Sequence, residues 1–123
     1  MRGSPALLLF LAAAAILAPV GIASSPSLHV RPSRVHAGDR VRIFGSGGGC
    51  PAGEQLLLIS RAFSHRHDFA GLPAVITRIR SDGRFDTRTT IPRRRRPRRY
   101  TITARCGGGN LGVEARLRVL PPR

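Results

Sequence analysis

The chain has 123 residues, of which 21 are arginine, none is lysine and six are acidic, for a formal charge of +15. One domain is the natural prior at this length, and a large catalytic domain beside a second module is excluded by size. β-Branched and apolar residues recur in short alternating runs, which excludes full disorder.

The chain opens on a positive residue, Arg2, followed by the uncharged and almost wholly apolar stretch Ala6 to Val20. Gly21-Ile22-Ala23 then supplies small residues where a signal peptidase reads. This layout predicts a secretory signal over residues 1–23 and a mature domain over 24–123. The competing expectation, a retained membrane anchor, is weakened by Pro19 and Gly21, which break a helix where an anchor should continue. No later apolar run approaches the ~20 residues of a spanning helix. The expected location is therefore extracytoplasmic, either secreted or associated with the cell envelope. Cleavage removes Arg2 and no acid, so the charge of +15 falls by only one. Codon bias in a GC-rich genome accounts for arginine over lysine better than selection for bidentate recognition does. It does not account for the excess of positive over negative charge.

Cys50 and Cys106 are the only cysteines. Two thiols in an exported chain are expected to pair. The loop-entropy model assigns such a long closure about 4 kcal/mol. No set of metal ligands has suitable spacing near either cysteine.

Along the mature chain, Leu28 to Arg31 alternates until Pro32 stops it, and His36-Ala37-Gly38-Asp39 is turn chemistry. Arg40 to Phe44 places Val41 and Ile43 on one face. Gly45 to Gly53 reads as a glycine-rich loop around Cys50. Glu54 to Phe63 carries the most apolar run, Leu56 to Ile59, which suits a central strand covered on both sides. A polar loop, Ser64 to Pro73, follows. Ala74 to Arg80 is the next strand, and Ser81-Asp82-Gly83 is a hairpin-type turn into Arg84 to Ile91. Arg93 to Arg99 is the basic loop RRRRPRR. Tyr100 to Cys106 places Tyr100, Ile102, Ala104 and Cys106 on one face. Gly107 to Gly112 reads as a second glycine-rich loop, and Val113 to Val119 turns Val113, Ala115, Leu117 and Val119 inward. About seven antiparallel strands with turn signals between them, and no sustained helical periodicity, predict an all-β, immunoglobulin-like sandwich tied by one disulfide.

Arg31-Pro32-Ser33, Ala37-Gly38-Asp39 and Val41 to Gly45 resemble the opening strands of small secreted bacterial immunoglobulin-like domains. Ser81 to Phe85 and Tyr100 to Ala104 resemble their middle and late strands. The resemblance spans most of the mature chain and implies the sandwich fold. It departs from the antibody pattern: there is no tryptophan, and Tyr100 lies six residues before Cys106 rather than two. A more distant similarity is to the neocarzinostatin-like apoproteins, from which no ligand is transferred.

The strongest local feature is the set Arg93, Arg94, Arg95, Arg96, Arg98 and Arg99. Its functional reading is contact with a polyanion of the envelope or outside the cell, driven by counterion release. The competing reading is a solvated loop that aids solubility and keeps strand edges apart. Base-specific nucleic-acid recognition has no support, because Tyr100 is the sole aromatic beside the arginines. His65-Arg66-His67-Asp68 reads as a polar surface loop rather than a metal site. The glycine loops lack the lysine and the following helix of a phosphate-binding loop. Ser46, Ser60 and Ser64 have no motif that would place one in a triad, and Asp82 of the Asp82/Asp86 carboxylate pair is a turn residue. The expected role is a non-catalytic binding module without cofactor or metal. The alternative is a structural or protein-interaction module of the cell surface in which the arginines are incidental.

Overall fold

The structure is a computed structural model that describes residues 25–123. The predicted signal over residues 1–23 lies outside the described residues. The described chain is all-β. Its strands are β1 (His29–Arg31), β2 (Arg34–His36), β3 (Arg40–Ser46), β4 (Gln55–Ile59), β5 (His67–Phe69), β6 (Leu72–Arg78), β7 (Arg84–Thr90), β8 (Arg98–Cys106) and β9 (Gly109–Leu120).

Two sheets form. The smaller has the order β1-β3-β7 and the larger β2-β9-β8-β4-β6-β5. Their inner faces share one apolar core. Val41, Ile43 and Phe85 enter it from the small sheet, and Leu56, Leu58, Ile102 and Leu117 from the large one. The alternation that predicted these strands is the alternation that buries them: in β9, Ala115, Leu117 and Val119 are buried while Glu114, Arg116 and Arg118 are exposed. β4 lies between β8 and β6. Leu56 and Leu58 face the core, and Ile59 on the opposite side is also buried. Leu57 is half-buried, so the expectation of a strand covered on both sides is met with one residue partly open.

Seven of the strands occupy the expected segments, and two short ones add to them. β2 pairs in parallel with β9, Val35 opposite Val119. The chain thus leaves the small sheet after β1 and joins the large one, turning at Pro32, whose peptide bond is cis. β5 forms inside the expected polar loop, pairing His67 with Ala74 and Phe69 with Leu72. Three residues are too few for alternation to show, so both strands come from tertiary pairing rather than local pattern.

The second glycine loop is also shorter than its composition suggests. Cys106 pairs with Gly109, so only Gly107 and Gly108 turn. Gly112, at φ +75°, sits in a bulge where β9 spends three residues against one of β8. Gly45 and Ser46 likewise belong to β3, not to the loop that follows it. The disulfide is present: Cys50 and Cys106 lie 6.0 Å apart at Cα, 56 residues apart in sequence. It joins the loop after β3 of the small sheet to the end of β8 in the large one.

Candidate anion-binding surface

Ile91 is fully buried and fixes the start of the arginine segment. Its N–H donates to the Asp39 carbonyl at 2.9 Å and its own carbonyl accepts from Gly38 at 2.8 Å. Pro92 then opens a turn closed by the Arg95 N–H on the Pro92 carbonyl, 2.9 Å. Arg93 and Arg94 therefore stand at the tip. Pro97 precedes β8, and Arg98 and Arg99 are the first two residues of that strand. The basic loop is thus residues 93–97, two residues shorter than the sequence suggests, because β8 pairs with β9 as far as Arg98 opposite Val119.

The six arginines have different environments. Arg95 is half-buried, and its Nη2 donates to the Phe63 carbonyl at 2.7 Å, while its Nε is buried without a partner. It ties the loop to the turn after β4, where the Ser60 hydroxyl accepts from the Ala62 N–H and Phe63 is carried into the core. Arg93 donates to the main-chain oxygen of Arg123, the last residue, at 3.2 Å. The Arg98 guanidinium lies 5.4 Å from the Tyr100 ring centroid. The guanidiniums of Arg94, Arg96 and Arg99 are exposed and have no protein partner among the described residues. The Tyr100 hydroxyl donates to the Arg96 carbonyl, which holds the end of the loop against the start of β8.

Among the described residues no Asp or Glu side chain lies within ion-pair distance of any of the six. Four acids are engaged elsewhere. Asp86 takes both Arg42 Nε at 2.9 Å and Arg42 Nη2 at 2.6 Å. Asp39 meets Arg123 at 3.3 Å, Asp82 meets Arg80 at 3.6 Å, and Asp68 meets His65 at 2.8 Å. The Arg42 guanidinium beside Asp86 holds its carboxyl below the usual carboxylate range, and the hydrogen bond from Arg123 does the same for Asp39.

The sheet registers bring together further arginines that the linear sequence does not. On the outer face of the large sheet Arg34 is opposite Arg118, and Arg118 is opposite Arg99. On the outer face of the small sheet Arg31 is opposite Arg42, and Arg42 is opposite Arg88. The second row is compensated: Arg42 holds Asp86, and its guanidinium stacks 4.3 Å from the Phe44 ring centroid. The first has no such partner. Sequence reading missed both rows because their members come from strands far apart in the chain. The alternation of Val113 to Val119 already turned Arg116 and Arg118 outward, but only the pairing aligns Arg118 with Arg34 and Arg99.

The other sequence candidates do not converge. Among the described residues no three histidine, cysteine or acidic side chains lie close enough to hold a metal ion. Asp82 accepts from the Arg84 N–H in its turn and stands apart from the Arg42–Asp86 pair. Among the described residues no helix is long and apolar enough to cross a membrane.

No protein-family model and no curated protein matches the chain. Among solved structures, the chain is similar to Yersinia pseudotuberculosis InvD, with a TM-score of 0.57 and 13% identity over 79% of this chain. It spans 28% of the length of that protein. A likeness also runs to the Pseudomonas fluorescens alkylpurine DNA glycosylase AlkC, at TM-score 0.47 and 18% identity over 75% of this chain and 29% of that one. A third is with an uncharacterized protein of Bacillus anthracis, at TM-score 0.40 and 17% identity, covering 72% of this chain and 76% of that one. The InvD likeness is one of fold.

Proposed function

We propose that this chain is an exported, non-catalytic binding module with an immunoglobulin-like sandwich, which holds an anionic polymer of the cell envelope or its surroundings through its arginine-rich segment. The observation that carries it is the absence of any Asp or Glu partner for the arginines from Arg93 to Arg99, while four of the six acids are engaged elsewhere. A segment kept only for solubility has no need of a fixed shape. Here Ile91, Arg95 and Tyr100 hold it in place from both ends. The immunoglobulin-like assignment draws support from the switch of the first strand between sheets. It also draws support from the Tyr100 hydroxyl bonding four residues upstream at the start of β8, the arrangement of a tyrosine corner.

A second reading has its own observation. β7 is the edge of the small sheet and pairs only with β3. Beside it lies a cleft of about 530 Å³ between β7 and β6, lined by Val75, Ile76, Thr87 and Thr89 among others. An extended segment of a partner protein would pair with such an edge. Salt separates the two. Binding of the oxidised mature protein to isolated envelope should fall steeply with rising salt if the arginines carry it. Replacing Arg93, Arg94 and Arg96 by serine should then weaken it. Salt-insensitive binding unchanged in that variant favours the β7 edge.

A further inference from the structure

The row Arg34–Arg118–Arg99 crosses three adjacent strands, β2, β9 and β8, on the outer face of the large sheet. Neighbouring strands lie about 4.8 Å apart, so the row sets three guanidiniums across roughly 10 Å. Arg116 stands two residues from Arg118 on the same face. All four are exposed and none has a carboxylate partner among the described residues. Like charges directly opposite one another in a sheet are destabilising, so the fold carries this row at a cost that the small sheet's row relieves with Asp86.

A depression of about 310 Å³ adjoins the row on the same face. Ile59 and Leu72 contribute its apolar lining, Thr101 and Thr103 offer hydroxyls, and Arg61 and Arg99 flank it. Arg99 thus belongs both to the row and to the wall of the depression. It also continues the arginine segment, so loop and face form one positive surface.

We infer that this face binds a linear phosphodiester polymer of polyol or sugar units. This rests on the polyanion reading above and names its surface and ligand class. Phosphates bridge adjacent guanidiniums, whose planar forks match paired phosphate oxygens. The small hydroxylated unit between two phosphates lies in the depression, its carbons on Ile59 and Leu72 and its hydroxyls toward Thr101 and Thr103. A nucleic-acid strand fits less well, because the one aromatic ring in the lining, Tyr100, is only 7% exposed and offers no open face on which a base could stack.

The test uses poly(glycerol phosphate) and the oxidised mature protein, with single-stranded oligo(dT) and polygalacturonate as comparators. The face variant Arg34→Ser/Arg99→Ser/Arg118→Ser should bind poly(glycerol phosphate) at least tenfold more weakly. Its plot of log affinity against log salt should be shallower by about two, since three contacts each release about 0.7 counterion. The lysine version of the same triple keeps the charge and should bind between the two, which separates lost contact from lost fold. If the loop variant Arg93→Ser/Arg94→Ser/Arg96→Ser loses binding while the face variant matches wild type, the inference falls and the broader reading stands. Equal or tighter binding of oligo(dT) or polygalacturonate overturns the ligand class alone. Failure of the wild type to bind any of the three overturns both.

Discussion

Gly45 shows how one missing side chain holds the N-terminal segment in place. The Ser27 N–H donates to the Ser46 carbonyl at 3.0 Å, and the Ser46 N–H donates to the Ser27 hydroxyl at 2.9 Å. A Cβ on Gly45 would lie 2.0 Å from the Ser27 carbonyl oxygen. That atom is backbone and cannot swing aside, so Gly45→Ala must push the segment off β3. Overpacking of this kind costs about 1–3 kcal/mol. A Cβ on Gly49 meets nothing within 4 Å, so Gly49→Ala should leave the urea midpoint nearly unchanged. Equal midpoints for the two variants would refute the close-approach account. Asp86 gives a second prediction at this scale. Arg42 lowers its pKa below the ordinary 3.8, so the folded state binds the proton less readily than the unfolded one. The pair's contribution is present above the ordinary carboxylate pKa and is lost as pH falls through the depressed folded value. Asp86→Asn should therefore flatten the decline of melting temperature below about pH 4. It should lower stability slightly at neutral pH, because the half-buried pair still reaches solvent, which screens it.

At the scale of elements, the long strands were legible and the short ones were not. Val113 to Val119 and Tyr100 to Cys106 announced themselves by strict alternation, and their inward residues are buried except Val113 and Cys106, which are half-buried against the core. β2 and β5 have three residues each and take their structure from β9 and β6. The arginine segment was legible as a cluster, because it is continuous in sequence. The row across β2, β9 and β8 was not, because register is a property of pairing and a shift of one residue would turn its members inward. That row also links stability to binding. Arg118 is its middle member, so Arg118→Glu replaces two like-charge neighbours with two opposite-charge ones. Cross-strand pairs of this kind are worth a few tenths of a kcal/mol when exposed. The variant should melt slightly higher than wild type and bind poly(glycerol phosphate) far less. A lower melting temperature would show that the row is not the electrostatic burden its register implies.

For the whole molecule, the question is what keeps two sheets together under a charge of +15. Net charge of this size favours expanded states through self-repulsion, and about 100 residues bury only a modest core. The Cys50–Cys106 bridge acts on the unfolded chain. It closes a loop across 56 positions, which the loop-entropy model values at about 4 kcal/mol, comparable with the net stability of a small domain. Cys50 lies in the loop that crosses from β3 of the small sheet to β4 of the large one, and Cys106 ends β8, so loss of the bridge frees that crossover from the large sheet. Cys50→Ser/Cys106→Ser should therefore be largely unfolded, or nearly so, in low salt. Added salt screens arginine repulsion, with a Debye length near 10 Å at 0.1 M. The variant should regain near-native far-ultraviolet circular dichroism as salt rises, while the oxidised wild type changes little over the same range. A variant that stays fully folded in low salt would place the stability in the core alone. One that stays unfolded at high salt would show that chain entropy, not charge, sets the limit.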